Sequence, residues 1–414
     1  MHKHRRHLGS HETNDEFEFV RMRILFLAPF VPSSERPDAL HHIRLLSRQH
    51  EITLVALYTE DVELDDLEHV RNWAKEVYPL KLSKITSYKS CALRLFTRWP
   101  LYVAYFFSPA LARKIHQIAQ EHTYDLVHVH TLRMAPYAQY LDSIPRVCNI
   151  QDVLTARYRD YVRQGSVSLS RLLDVEEWQK LKRFEPWLCT QMKIIGVVSE
   201  EEAGLLDNLS PDILTHVVRL GIDPDYFAPF PDAKRELSVS FLGRLSYRPN
   251  AEAALWIARC IFPRIRQRMP EARLIIVGSD PPARVQALHA QEGITVTGKV
   301  PDVRPYLGRA TVSLCPMKTG GGVKYKILQS LAMATPVVTN ALGATGIGLT
   351  PGQNVLLGED DEPLAEACID MLSNPTRRKL IGEAGRDHVI KRHSWDRVAE
   401  SLEAFHELAL TVRN

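Results

Sequence analysis

Thr311-Val312-Ser313-Leu314-Cys315, then Gly320-Gly321-Gly322-Val323-Lys324-Tyr325-Lys326-Ile327-Leu328-Gln329, then Thr335-Pro336-Val337-Val338-Thr339 place a glycine run and a lysine-bearing helical pattern between two short apolar strands. Strand, turn, helix and strand in that order form the repeating unit of a parallel α/β sheet. The pattern predicts a helix opened by the three glycines and running to about Met333. Glycines let an anion approach the backbone closely, and the first helical turn offers unpaired N–H groups at the positive end of its dipole. With Lys324 and Lys326 adding full charge, Gly320, Gly321 and Gly322 read as an anion seat. Taken alone, the same residues also fit an ordinary turn with solvated lysines, because a glycine-rich turn is a weak motif.

The same alternation extends in both directions. Upstream, strand-like runs occur at Arg23–Leu27, Ile52–Val55, Leu126–Val129, Arg146–Ile150 and Ile194–Val198, with helical stretches between them. A second series starts at Leu237–Leu242 and continues through Leu274–Val277 and Ile294–Val296 to the glycine unit. Between the series, Gly221-Ile222-Asp223-Pro224-Asp225-Tyr226-Phe227-Ala228-Pro229-Phe230-Pro231 holds three prolines, which suits a connection and not a helix or central strand. The expected organisation is a disordered extension over 1–20, a first doubly wound domain over 21–218, a linker over 219–236, a second domain over 237–392 and a terminal helix over 393–414. Ligands in such sheets sit beyond the carboxyl ends of the strands, so two facing domains would share one cleft.

Composition narrows the function classes. The 414 residues are 45% apolar and 24% charged, as in a soluble globular protein, and a net charge of +3 gives no argument for nucleic acid. The six cysteines stand singly, without zinc-type pairs or a dense disulfide pattern, so a cytoplasmic location is expected. No apolar run approaches the roughly 20 residues that span a bilayer. From Val77 to Gln120 there is no acidic residue, while Lys81, Lys84, Lys89, Arg94, Arg98, Arg113 and Lys114 are cationic and Trp99, Tyr102, Tyr105, Phe106 and Phe107 are aromatic. That stretch, 77–120, is the candidate for a peripheral contact with the inner face of a membrane. It equally fits a solvated face over part of the first domain's core.

Several further motifs stand in order along the chain: Tyr124-Asp125-Leu126-Val127-His128-Val129-His130, Val198-Ser199-Glu200, Gly221-Ile222-Asp223, Phe241-Leu242-Gly243-Arg244-Leu245 with Tyr247-Arg248-Pro249-Asn250, Val277-Gly278, Gly298-Lys299-Val300, and the glycine helix with Pro336-Val337-Val338. Over about 370 residues this set resembles the retaining glycosyltransferases of family 4, whose GT-B fold pairs two facing Rossmann-like domains. The resemblance implies transfer of a sugar from a nucleotide-diphosphate sugar to a glycan or polyprenyl-linked acceptor, in a setting such as exopolysaccharide assembly. It implies that Arg244, Lys324, Lys326 and the glycines hold the donor diphosphate, that Val300 meets the base through its main chain, and that His130 lies near the transferred sugar and acceptor in a catalytic or positioning role, so that His130, Arg244 and Lys326 form the expected catalytic set. His128, two residues earlier on the same face, reads as structural, and Gln151-Asp152 as a further approach to the cleft.

The sequence departs from the family pattern at two places. Many members flank the donor helix with two glutamates, the second on the ribose; here Gly321 and Gln329 occupy those positions. A neutral amide keeps hydrogen bonding but loses charge assistance of about 1 kcal/mol. The loop Pro32-Ser33-Ser34-Glu35-Arg36-Pro37 lacks the paired glycines many members place beside the donor. These departures leave a second reading open, a non-catalytic GT-B partner or nucleotide-sugar-binding protein, with a nucleotide-sugar epimerase of the same fold less favoured. No carboxylate cluster calls for a metal, and no cofactor is expected.

Overall fold

The computed structural model describes residues 21–33, 37–164, 169–230 and 235–411. The expected extension over 1–20 lies outside these residues, as do Ser34, Glu35 and Arg36 of the Pro32–Pro37 loop and residues 231–234 of the expected linker.

The first domain is a seven-stranded sheet of β1 (Arg23–Ala28), β2 (Glu51–Tyr58), β3 (Glu76–Lys81), β4 (Leu126–His130), β5 (Arg146–Asn149), β6 (Ile194–Val197) and β7 (Thr215–Val217), in the order β3-β2-β1-β4-β5-β6-β7. The second has β8 (Glu236–Leu242), β9 (Arg273–Val277), β10 (Ile294–Val296), β11 (Ala310–Leu314), β12 (Val337–Thr339) and β13 (Leu356–Leu357), ordered β10-β9-β8-β11-β12-β13. Neighbouring strands in both sheets run parallel, for example Phe26 opposite Leu54 on one side and His128 on the other. The continuous apolar runs explain the arrangement: β1 and β4 are buried along nearly their whole length, as strands covered by helices on both faces must be.

In each sheet the strand order reverses beside the first strand, between β1 and β4 and between β8 and β11. Such a reversal opens a crevice at the carboxyl ends of those strands. His130 ends β4, Gly243-Arg244 follows β8, and the glycine loop follows β11, so both crevices carry residues singled out from the sequence.

Two crossings join the domains. The Gly221–Phe230 connection is packed: Ile222 and Phe227 are buried, and the Ile222 amide donates to the His393 carbonyl at 2.7 Å. The terminal helix Trp395–Thr411 returns to the first domain, where Trp395, Val398, Leu402 and Phe405 share a core with Ile24, Phe26 and Ile43. Gly221 must be glycine for this crossing, because a Cβ there would sit 2.2 Å from the Trp395 ring. All six cysteines are free, and no helix among the described residues is long and apolar enough to cross a membrane.

The 77–120 stretch folds as edge strand β3 and the helices Lys84–Arg94, Leu101–Ala104 and Pro109–Glu121. Part of its charge is spent within the fold. Lys81 pairs with Asp61 and Lys84 with Glu60, both at 2.7 Å, while Arg94 stacks over Trp99 and Phe107. Phe107 is core, and the large apolar side chains that face solvent are instead Ile85, Tyr88, Leu93, Leu95 and Phe96, the last 96% exposed.

Candidate active site

The floor of the second-domain crevice is fixed by glycines at two crossing loops. A Cβ on Gly278, after β9, would lie 1.8 Å from the Gly243 carbonyl oxygen, so the loops meet only because no side chain intervenes. The Gly243 amide donates to Val277 at 3.0 Å and the Leu245 amide to Ser279 at 2.8 Å, which sets the backbone of Arg244 between them. Asn250 then ties this turn to the helix that follows the glycine loop, Tyr325–Ala332. Its Nδ2 donates to the Arg244 carbonyl at 2.9 Å, and its Oδ1 accepts from Lys326 Nζ. Asn250 belongs to the Tyr247-Arg248-Pro249-Asn250 motif, yet the sequence offered no role for it. The side chain of Arg244 is exposed and makes no hydrogen bond or ion pair with another described residue.

The expectation that the glycines open the helix needs correction. The helix spans Tyr325–Ala332, with Lys324 at its N-cap, and Gly320, Gly321 and Gly322 form a loop ahead of it. Gly320 and Gly322 have φ of 103° and 66°, left-handed values that no helix start accommodates and that favour glycine. Asn340 pins the loop's approach, accepting from the Met317 amide at 3.0 Å and donating to its carbonyl at 2.7 Å.

Both lysines are inside the protein. Lys324 Nζ turns back onto the carbonyls of Gly321 and Gly322 at 3.2 and 2.6 Å. Lys326 Nζ lies 4.5 Å from the Phe241 ring centre and 3.9 Å from Met317 Sδ, besides its bond to Asn250. Burial pushes both ammonium groups down to about 8 from the usual 10.5; Glu202 and Asp152 partly offset this for Lys324. Among the described residues no carboxylate forms an ion pair with either lysine. Two buried cations without a bonded counterion are costly in an apolar interior, and an arriving anion relieves that cost.

The first domain closes over the glycine loop. A Cβ on Gly322 would stand 3.4 Å from the Gln151 carbonyl oxygen, and one on Gly321 would stand 3.6 Å from Asp152 Oδ2. The Gln151–Thr155 turn that reaches across is held by buried carboxylates the sequence reading missed. Glu202 accepts from the Val153 amide at 2.6 Å; Glu185 accepts from Leu154 and Thr155 at 2.7 and 3.0 Å. Burial raises both carboxyls to about 7. Arg157 pairs with Asp152 at 2.5 Å, completing the turn.

His130 ends β4 but is only 1% exposed, lying against Phe26 and Phe30, with Nε2 3.7 Å from Asp38 Oδ2. Burial lowers its pKa to about 4, so the imidazole is neutral. Thr131, next in the chain, has φ 70°, an uncommon backbone for a β-branched residue and a sign of local strain. His128 lies deeper, bonded through Nδ1 to His406 Nε2 of the terminal helix at 2.8 Å. Asp38 accepts from Gln151 at 3.1 Å, and its charge, with that of Asp223, adds to the burial that raises the Tyr325 phenol. Val300 is half-buried at the rim, just after Gly298, whose φ is 71°. Gln329 is half-buried on the helix Tyr325–Ala332.

Comparison with known proteins agrees with this layout. The family model described as glycosyl transferases group 1 matches residues 236–374, the greater part of the second domain. A GDP-mannose-dependent monoacylated alpha-(1-6)-phosphatidylinositol monomannoside mannosyltransferase of Corynebacterium glutamicum is 30% identical over 152 residues, 34% of this chain and 40% of that protein. The chain spans about half the length of the mannosyltransferases it matches. Among solved structures, sucrose-phosphate synthase of Thermosynechococcus elongatus superposes with a TM-score of 0.70 at 16% identity, covering 94% of this chain and 98% of its own. Anabaena Alr3699/HepE in complex with UDP and glucose gives 0.65 at 14%, covering 94% and 100%. Two parallel α/β domains, each with its crevice turned toward the other, together with these full-length likenesses, make the architecture of this chain the GT-B fold.

Proposed function

We propose that this protein is a glycosyltransferase that moves a sugar from a nucleotide-diphosphate sugar to a glycan or lipid-linked acceptor, with retention of configuration. The observation that carries the reading is the pair of buried lysines, Lys324 and Lys326, beside the glycine loop and without a bonded counterion. Arg244 adds an exposed guanidinium whose planar fork suits phosphate oxygens. As the glycosidic bond breaks, negative charge grows on the leaving diphosphate, and these cations with the helix N-terminus stabilise it more in the transition state than before. Closure of the Gln151–Thr155 turn over the glycine loop keeps water from the reacting sugar. In this reading Asp38 lines the first-domain side of the sugar site with His130 packed behind it, Val300 meets the base and Gln329 the ribose.

The UDP-bound Anabaena neighbour and the GDP-mannose-dependent relative support a nucleotide-sugar donor without choosing the base. An acceptor on a lipid fits the exposed Ile85, Tyr88, Leu93 and Phe96, which give the helix Lys84–Arg94 and its exit an apolar surface beside Lys89 and Arg98. Co-sedimentation with anionic and neutral vesicles tests that placement. Equal binding to both, or binding unchanged by Phe96→Ser with Leu93→Ser, argues against it.

Calorimetric titration with UDP, GDP, ADP and dTDP tests the donor site itself. One of them should bind to the unmodified chain and bind at least tenfold more weakly to Lys326→Met. If none binds, the phosphate-seat reading fails. Binding without release of nucleoside diphosphate when acceptor extracts are supplied would favour the non-catalytic alternative that Gln329 leaves open.

A further inference from the structure

Below the cleft, three imidazoles from two elements converge in the first-domain interior. His128 and His130 stand at i and i+2 on β4 and therefore on one face of the strand. His42 comes from the helix Pro37–Leu46, where Asp38 lies one turn earlier. Each of the three histidines offers a nitrogen, and these atoms all lie within 4.8 Å of one another. The three rings are at most 1% exposed. Asp38 Oδ1 is 3.3 Å from His42 Nε2, and Oδ2 is 3.7 Å from His130 Nε2.

Their hydrogen bonding is unfinished. Asp38 Oδ1, both nitrogens of His42, both of His130 and Nε2 of His128 are buried and have no hydrogen-bond partner. Interiors ordinarily satisfy such groups, and an orphaned nitrogen from each of three rings, all within 4.8 Å of one another, calls for something that accepts several lone pairs at once. A hydrophobic ligand cannot do this, and an anion would meet the Asp38 carboxylate. A cation can. Three imidazoles with a carboxylate beside them suit zinc and its neighbours among the divalent first-row metals.

We propose that His42, His128 and His130 form a buried transition-metal site of the zinc class that ties the helix Pro37–Leu46 to β4, with the Asp38 carboxylate beside it to balance the charge. The surrounding contacts already orient the ligands. His128 Nδ1 is engaged with His406, leaving Nε2 for the ion, and Gln151 donates to Asp38 Oδ2 at 3.1 Å. Nitrogens in a tetrahedral zinc complex are about 3.4 Å apart, so the rings need an inward shift of less than about 1 Å each. The ion would sit behind the sugar side of the cleft. There it would fix the helix that bears Asp38 against the Gln151–Thr155 turn. With metal bound, His130 acts as a ligand, and its contribution to turnover passes through the position of Asp38 and the cleft wall.

The test is metal content, measured apart from any donor. The amino-terminal histidines His2, His4, His7 and His11 could bind zinc on their own, so the full chain carrying His2→Ala, His4→Ala, His7→Ala and His11→Ala serves as background. After equilibration with zinc and desalting, about one equivalent per chain should remain, and the cobalt-loaded form should show the visible bands of a tetrahedral complex. His42→Gln and His130→Gln should each lose the metal while their circular dichroism spectra stay those of a folded chain. Should a variant fold poorly, thermal melting of the background protein decides the matter: zinc should raise Tm by several degrees and a chelator should reverse the rise. Retention below about 0.2 equivalent, metal kept in full by both folded variants, or a Tm indifferent to zinc would overturn the proposal. Binding of UDP, GDP, ADP or dTDP to the second domain, recorded on the same samples, keeps this outcome separate from that of the donor reading.

Discussion

Replacing Lys326 with methionine should leave the free protein at least as stable and make the donor complex weaker. The ammonium is buried, and its fall from 10.5 to about 8 corresponds to a cost of about 3 kcal/mol for holding it charged at neutral pH. Methionine has nearly the same volume and length and carries no charge, so that cost disappears. The charge-assisted bond to Asn250 is lost as well, which takes back about 1.5–3 kcal/mol and leaves a net gain of about 0–1.5 kcal/mol. For a chain with domains of this size that is a rise of roughly 0–6 °C in Tm. Toward the ligand the sign reverses. A charge-assisted bond to a phosphate oxygen contributes about 1.5–3 kcal/mol, so the Kd for the preferred nucleoside diphosphate should rise roughly 10- to 150-fold. Scanning calorimetry and isothermal titration on the same preparation read both changes. A variant that binds nucleoside diphosphate as tightly as the parent refutes the reasoning. So does a Tm that falls, which would show that the buried charge is balanced within the protein.

Arg244→Ala should lower kcat/KM at least tenfold with little change in Tm, because the side chain is exposed and bonded to nothing else described; kinetics with the preferred donor measure this, and unchanged turnover counts against a phosphate contact. Gln329→Glu should hold or slightly tighten donor affinity if the side chain faces the ribose, whereas a loss beyond tenfold by calorimetry would place it elsewhere. The lysines also set a pH dependence of opposite sign in two quantities. Their folded pKa values are depressed to about 8, so between pH 8 and 10.5 the unfolded chain holds more protons and their contribution to stability rises with pH. Over the same window the ammonium groups of the free protein discharge and donor affinity should fall. Titration of binding at pH 7, 8 and 9 should show that fall in the parent and a shallower one in Lys326→Met.

Strands with apolar runs on both faces, such as Arg23–Ala28 and Leu126–His130, were legible because a parallel sheet covered by helices leaves no polar face to confuse the pattern. The missed strands β3, β7 and β13 are at or beside sheet edges, where partial exposure and short length weaken the signal. β3 even contains Pro79, which an edge tolerates because one side of the strand needs no partner. At the site, the glycines and lysines stood out by composition, yet their burial did not, since it arises from Phe241, Met317 and the closing first domain. The roles of Asn250, Glu185, Glu202 and Asp38 were invisible for a related reason: each acts on a backbone or side chain distant in sequence, as Asn250 does between Arg244 and Lys326. The Asp38 and His42 spacing of one helical turn, set beside His128 and His130 two apart on a strand, was the one signal that could have found the histidine cluster.

The central claim is transfer from a nucleotide-diphosphate sugar, and the most direct measurement is release of nucleoside diphosphate from a panel of UDP-, GDP-, ADP- and dTDP-sugars supplied with glycan and lipid-linked acceptor extracts. The account expects one donor to be consumed in an acceptor-dependent way, with the rate lowered at least tenfold in both Arg244→Ala and Lys326→Met. Absence of release from every donor, or release that both variants sustain at the parent's rate, would contradict it.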